Sequence, residues 1–392
     1  MAYTGLPQRT GHSGGRLGHS YERETFREQI LDQIAYVNAL DTPLLSSLGK
    51  VPFTAERIEW LMDDIAWSQG AVQSENEVKQ FFTDTTALSD ANADFRTRAA
   101  NVAHYITKEV FVTDRQRRVS EMGVGDEYAQ QLWKKTIHLA KDFENALMFS
   151  VANDINSGTM EPTGHSSGVA SMAADSKMMG LVPYAKMAGG ATSDKTVAGR
   201  TIPFGTGAGD FNCTWKTNTT AADMTVDEFH DEILAPYWNL GGEASQTLFM
   251  CGHKFKRLMG EWGMVYSGSG ATLSAEPMNQ RNIPAAAKKL IDTIDVYESQ
   301  FGTIYINRNR YMSSSQTYAF TDANYFDTTS TYRPDRGFLM FEPRYVKVGV
   351  GTGFTHLPMS KRGLQTAGAI YADLSLVVRN PKILAGGENV VV

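Results

Sequence analysis

The chain has 392 residues, 42% of them apolar and 20% charged, the composition of a folded protein rather than a disordered or fibrous one, and its length predicts two to three compact units. Its 37 Lys plus Arg against 43 Asp plus Glu give a net charge of -6, which excludes a global positive field for recruiting nucleic acid or acidic lipid. Cys213 and Cys251 lie far apart without CxxC spacing, and neither a signal-peptide core nor an apolar run of about 18 residues occurs. These features argue against a disulfide framework, a cysteine metal site, export and a membrane span, and a reducing cytoplasm suits the chain.

Residues 1–50 read as an arm with one short helix. The first 19 are Gly-, Ser- and His-rich without periodicity. Ser20 is placed to cap a helix carrying Glu22 and Glu24 in its first turn and Phe26, Ile30, Ile34 and Val37 on one face. Asn38 to Pro43 supplies a turn, and Leu44 to Leu48 is a short apolar patch closed by Gly49. Residues 51–113 read as a long flap. Ile58, Trp60 and Met62 alternate with Glu59, Leu61 and Asp63 in one strand, and Val102, Ile106, Val110 and Val112 mark a second. Two strands bury little apolar surface by themselves, so such a hairpin needs another surface to lie on.

Residues 114–157 contain the strongest helical signal, Ala129, Leu132, Trp133, Ile137, Ala140, Phe143, Leu147 and Val151, predicting one helix from Asp126 to Asp154 with Gly158 as its stop. At 1.5 Å per residue it would run roughly 40 Å. Residues 158–224 are punctuated by Gly, Ser and Thr around one apolar segment, KMMGLVPYAKM, and read as an irregular insertion. Residues 225–336 read as an α/β unit. Thr225 and Glu228 form a capping box, with Gly241 and Gly242 ending a helix that contains Pro236. SQTLFMCG reads as a buried strand, HKFKRLMGEW as a helix, and Ile304 with Ile306 as one face of a further strand. Residues 337–392 supply strands in which Val346, Val348 and Val350, then Ile370, Ala372, Leu374, Leu376 and Val378, share a face, with Pro381 as terminator. The helix from Asp126 is the apolar element long enough to cover that sheet.

This order of elements, with the segments REQILDQIAYVNALDTPLLSSLGK, ERIEWLMDDIA, LWKKTIHLAKDFENALM, WNLGGEASQTLFMCGHKFKRLM, VYESQFGTIYINRNRYM and LSLVVRNPKILAGG, resembles the major capsid proteins of tailed bacteriophages with the HK ninety-seven fold. The likeness runs from about Glu22 to the C-terminus, while 158–224 aligns only around SKMMGLVPYA. It implies an α+β fold with an N-terminal arm, an extended β-hairpin loop at 51–113, a peripheral domain built on the helix of 114–157, an axial α/β domain at 225–336, and terminal strands at 337–392 returning to the peripheral domain. It further implies pentamers and hexamers of this chain in an icosahedral shell around double-stranded DNA. Scaffolding and portal proteins would be separate, and the chain would be made in a bacterial host's cytoplasm. No covalent Lys–Asn cross-link can be nominated. An encapsulin-like cellular shell is the competing reading.

Catalytic signals are weak. Gly164-His165-Ser166-Ser167-Gly168 matches GxSxG, but a long helix rather than a strand precedes it, and Gly11-His12-Ser13-Gly14-Gly15 repeats the pattern inside the arm, which leaves a serine hydrolase as a distant alternative. The Gly205 to Asp210 stretch lacks the GK[ST] of a phosphate loop, and the eight histidines show no HExxH spacing. The chain is therefore expected to have no enzyme activity, cofactor or metal. Candidate assembly contacts are Phe26 on the arm helix, Trp60 and Trp67 on the flap, and Arg115, Arg117 and Arg118, placed to meet DNA or a neighbour's carboxylates. Trp60 and Trp67 equally suit packing within their own subunit, and solvated charge is the ordinary role of the arginines.

Overall fold

A computed structural model describes residues 41–63, 96–119, 124–151, 177–190, 192–198, 200–204, 211–218, 223–262, 295–320, 326, 330–361 and 363–391. The expected arm helix with Phe26, the flap residue Trp67, both GxSxG matches, the stop at Gly158 and the Gly205 to Asp210 stretch lie outside these residues.

The apolar patch after Pro43 is a short helix, α1 (Pro43–Ser47), followed by β1 (Gly49–Pro52), β2 (Arg57–Met62), β3 (Thr97–Val102) and β4 (His104–Thr113). A one-turn helix, α2 (Asp114–Arg118), precedes the long helix α3 (Glu127–Phe149), and α4 (Leu181–Gly190), β5 (Lys195–Val197), β6 (Arg200–Ile202) and β7 (Thr214–Thr217) follow. Next come α5 (Val226–Phe229), a π turn (His230–Leu234), α6 (Ala235–Asn239), β8 (Leu248–Cys251), α7 (His253–Trp262), β9 (Val296–Ser299) and β10 (Gly302–Arg308). The chain closes with β11 (Tyr318–Phe320), β12 (Ser330–Tyr332), β13 (Phe338–Phe341), β14 (Val346–Pro358), β15 (Gln365–Val378) and β16 (Leu384–Glu388).

Two sheets organise these elements. The first has the order β1-β14-β15-β4, and α3 packs on β4 and β15, as the alternation of Val346 to Val378 predicts. Leu139, Phe143, Ala146 and Leu147 of α3 are buried in this core with Val346, Val348, Ile370, Ala372, Leu374 and Leu376. The second sheet has the order β7-β16-β13-β8-β10-β9 and carries an aromatic core in which Phe229 meets Phe249, Phe255, Trp262, Tyr297 and Phe338.

The capping box is present. Thr225 Oγ1 accepts from Glu228 N at 3.2 Å, and Glu228 Oε2 accepts from Thr225 N at 2.8 Å. Pro236 is accommodated because the chain widens into the π turn just before it, which relieves the clash of a proline ring with the carbonyl four residues back. Gly241, with φ of 95°, then stops the helix.

Four expectations are corrected. The second flap run is two strands broken at Ala103: β3 pairs with β2, from Arg57↔Val102 to Met62↔Thr97, whereas β4 pairs with β15 in the first sheet. The break arises because Ala103 N donates to Glu56 O and Ser375 Oγ donates to Val102 O, which turns the backbone out of the hairpin. The long helix stops at Phe149 rather than Asp154, for a length of about 34 Å. The backbone at Gly180 crosses its last turn so closely that a Cβ there would lie 2.8 Å from Ala146 O and 2.9 Å from Ser150 N.

The segment 158–224 is not wholly irregular, for α4 is buried along nearly its whole length and β7 is an edge of the second sheet. Its burial on every side removes the amphipathic period that would have marked it. Finally, β14 and β15 join α3, but β13 and β16 of the 337–392 segment belong to the second sheet. Pro381 ends β15, and the chain then re-enters a sheet as β16.

Candidate assembly surface

The flap stem is built into the first core. Ile58 and Met62 of β2 face inward and are buried, while Leu61 points outward and is 61% exposed. Trp60 is half-buried against its own subunit's core, with an enclosed indole N–H that has no partner among the described residues. One buried amide joins three segments. Asn101 Nδ2 donates to Met179 O at 3.0 Å and to Leu376 O at 2.9 Å, and its Oδ1 accepts from Met179 N and Val102 N, both at 2.9 Å. Both donors and both acceptor positions of this amide are thus filled at 1% exposure.

The outer side of the stem is held by charge. Arg200 of β6 grips Glu59 through Nε at 3.1 Å and a second nitrogen at 3.2 Å. Arg57 also pairs with Glu59, and Arg98 approaches to 3.6 Å. Arg57 in turn donates to Ala198 O at 2.9 Å, which fixes the β5–β6 hairpin at a residue with φ of 50°. Burial raises the Glu59 carboxyl, but the Arg200 hydrogen bonds and the charges of Arg57, Arg200 and Arg98 outweigh it and hold the group below its ordinary value.

Two further buried carboxylates tie segments together. Thr42 makes no side-chain cap for α1, and Glu144 of α3 takes that role, accepting from Leu44 N at 2.7 Å and Leu45 N at 2.8 Å. Burial pushes its carboxyl up, against those two bonds, and Asp41 adds to the rise. Lys186 of α4 pairs with Glu388 of β16 at 3.0 Å, both almost fully buried, and Thr217 Oγ1 donates to Glu388 at 2.8 Å.

Among the described residues, nothing covers the far end of the face of the first sheet opposite α3. Phe111 (67% exposed) stands opposite Ala367, whose carbonyl accepts from Met359 N, and Leu357 stands opposite Ala369 two positions on. Leu364 (81% exposed) follows at the turn, where its carbonyl accepts from Asp114 N. The strip places three large apolar side chains, Phe111, Leu357 and Leu364, in solvent at one end of the sheet.

The arginines lie beside it on α2, capped by Thr113, whose hydroxyl accepts from Gln116 N. Arg117 donates to Thr366 Oγ1 at 3.3 Å and sits 4.0 Å from Asp126, whereas Arg115 and Arg118 are exposed and without side-chain partners among the described residues. Trp60 and the arginines do not meet in one site. Sequence reasoning passed over Asn101, Glu59, Arg200 and the exposed Phe111. Phe111 was readable, since it occupies the polar phase of the alternation in β4.

No group of three His, Cys, Asp or Glu among the described residues is placed to hold a metal, and no described helix is long and apolar enough to cross a membrane.

The family model described as SU10 major capsid protein matches residues 8–390. Among solved structures, the capsid of a native GTA particle computed with C5 symmetry aligns at TM-score 0.53 and 12% identity, covering 96% of this chain and 100% of that one. The capsid asymmetric unit of cyanophage A-1(L) aligns at TM-score 0.54 and 11% identity, covering 93% and 97%. An encapsulin complex from Synechococcus elongatus aligns at TM-score 0.47 and 12% identity, covering 95% and 96%. No curated protein matches the chain.

Proposed function

Because the chain belongs to the SU10 major capsid protein family and has the HK ninety-seven fold of phage shells, we propose that its activity is assembly, into pentamers and hexamers of an icosahedral head around double-stranded DNA. It is a structural protein of the virion capsid. The observation that carries the assembly reading is the uncovered apolar strip Phe111, Leu357, Met359 and Leu364, together with Leu61 on the flap stem. Apolar surface returns roughly 25 cal/mol per Å² when it leaves water, and closed symmetry lets every copy bury the same patch.

Catalysis forms no part of this reading. A separate scaffolding protein and a portal complete the particle, which is made in the host cytoplasm. Trp60, Trp67 and Phe26 serve neighbouring copies, and Arg115, Arg117 and Arg118 meet either a neighbour's carboxylates or the packaged DNA by local contact. The family match sets this against a cellular encapsulin, whose neighbouring genes would encode a cargo enzyme rather than terminase and portal.

The test is electron microscopy and sedimentation of the purified chain beside a Phe111→Ser/Leu364→Ser variant. Capsomers or closed shells from the parent, and a folded variant that stays unassembled, are the expected results. A parent chain that remains monomeric at high concentration refutes the reading.

A further inference from the structure

Helix α3 divides its charges unevenly. Its three carboxylates are all engaged within the subunit: Glu127 accepts from Gln131 Nε2 at 2.5 Å, Asp142 pairs with Lys108 at 2.5 Å, and Glu144 is buried as the cap of α1. Its three lysines, Lys134, Lys135 and Lys141, are partly exposed and have no side-chain partner among the described residues. At 3.6 residues per turn, Lys134, His138, Lys141 and Asn145 fall within about 60° of one another, on the side of α3 opposite Leu132, Leu139 and Phe143, which pack into the first core. His138 and Asn145 are exposed, and Asn145 Oδ1 accepts from Tyr318 at 2.9 Å, which leaves its amide nitrogen to donate elsewhere.

This ridge has the chemistry of a phosphate-binding surface. Asp142 lies off it, turned to Lys108, and Glu127 precedes Lys134 by about 10 Å along the axis. From Lys134 to Lys141 the ridge runs about 10.5 Å, roughly three steps of a nucleic-acid strand at 3.4 Å each. It ends at a cleft of about 360 Å³, where Arg310, Ser314 and Gln316 join Lys141 and Asn145. The one carboxylate in the walls, Asp41, is bridged to Arg310 at 3.0 Å. Lysine, arginine, serine, asparagine and glutamine are the side chains that bond phosphate oxygens.

We infer that the outward face of α3 binds the phosphate backbone of duplex DNA without sequence preference. This rests on the shell reading and divides the two roles left open for the exposed arginines. Arg115 and Arg118 stand beside the apolar strip of Phe111 and Leu364, so they serve a protein contact, and α3 takes the genome. A protein partner fits the ridge less well, because the centre of a protein interface is apolar. The large apolar residue exposed on this helix, Trp133, stands on the flank, about 100° from Lys134. On a molecule of net charge -6, attraction to DNA has to be local, and here the cations are not cancelled by carboxylates of their own helix.

The experiment measures binding of a short fluorescent DNA duplex of mixed sequence to the unassembled full-length chain, by anisotropy across a salt series. The parent is compared with Lys134→Gln/Lys135→Gln/Lys141→Gln and with Arg115→Gln/Arg118→Gln, the fold of each checked by circular dichroism. Each phosphate contact adds about 0.9 to the slope of log affinity against log salt, so the lysine variant should lose about 2–3 of that slope and at least about tenfold in affinity at about 50 mM salt, while the arginine variant keeps the parent's slope. Equal slopes for parent and lysine variant, or a parent that binds no duplex, overturn the proposal. A slope lost in the arginine variant alone gives the genome contact to α2 and overturns it too. So does a lysine variant that binds DNA like the parent but no longer assembles, which makes the ridge a subunit contact. In assembled particles the three lysines should be protected from acetylation when DNA fills the shell and open to it when the shell is emptied; equal labelling overturns the proposal. A parent that binds DNA through these lysines yet never forms shells supports this surface and refutes the shell reading.

Discussion

Replacing Asn101 by Ala tests whether one amide holds the flap stem to the body of the subunit. The substitution leaves two N–H groups, of Met179 and Val102, and two carbonyls, of Met179 and Leu376, without the partner they have now. Each intramolecular hydrogen bond contributes about 0.5–1.5 kcal/mol net, and a buried polar group left unpaired costs about 1–3 kcal/mol. Some of the four will find other partners, so a local loss of about 3 kcal/mol is expected, at the upper end for a single substitution. At 1.4 kcal/mol per factor of ten, this corresponds to a fall of roughly a hundredfold in amide protection. Hydrogen exchange of the unassembled chain, read by mass spectrometry over 97–102, 177–181 and 374–378, is the direct assay, because it reports each segment separately. The three peptides should lose protection together while the second sheet around Phe229 keeps its own. Asn101→Asp gives a second reading: a carboxylate keeps both acceptor bonds but cannot donate to Leu376 O or Met179 O, so it should be more disruptive at pH 8 than at pH 4, where protonation restores one donor. Loss of protection below threefold in the alanine variant would show that the Asn101 amide does not hold the stem, which leaves Ser375, the Arg200–Glu59 pair and the packing of Ile58 and Met62 to do so.

Two other expectations follow from buried and half-buried charge. Lys186→Met removes the cation paired with the buried Glu388 carboxylate, and loss of one member of a buried pair costs about 3–5 kcal/mol, whereas Lys186→Met with Glu388→Leu should recover most of it; equal melting temperatures for the single and double variants would refute the coupling. The Glu59 carboxyl is more acidic folded than its ordinary value of 4.5, so the stability it adds is present above that pH and drains away as pH falls through the lower folded value; Glu59→Gln should flatten this acid limb of flap-stem protection, and an unaltered pH profile would show that the three arginines do not act through Glu59.

Much of the first sheet was readable because its signal is local. Val346 to Val350 and Ile370 to Val378 alternate over long runs, and one face is covered by a helix whose own apolar spacing is equally plain. The capping box at Thr225 and Glu228 was readable for the same reason, since both partners lie within one turn. What escaped depends on contacts across the chain. β16 holds Ala385, Gly386 and Gly387, residues of low strand propensity, because large rings lie on them: a Cβ on Gly386 would come within 2.6 Å of the Trp215 ring, and one on Gly387 within 2.6 Å of the Phe338 ring. No window around Leu384 to Glu388 contains that information. Helix α4 escaped because burial on all sides erases periodicity, and the break at Ala103 because Glu56 and Ser375, which enforce it, are distant in sequence.

The same contacts decide how far the flap is an independent element. Read as a hairpin, residues 51–113 form one projecting unit, free to move from its base. In the folded subunit β4 is part of the first sheet, β15 is buried on both faces from Leu374 to Val378, and the stem covers the second of those faces. Asn101, Ser375 and the Arg200–Glu59 pair fasten the stem from three directions. Swinging it as a body would break all three at once and uncover Ile58 and Met62, a cost that a shell interface of weak contacts does not meet. A hinge at Val51, where the flap begins in the sequence, is therefore incompatible with the contacts that Asn101, Ser375 and Glu59 make in the folded subunit.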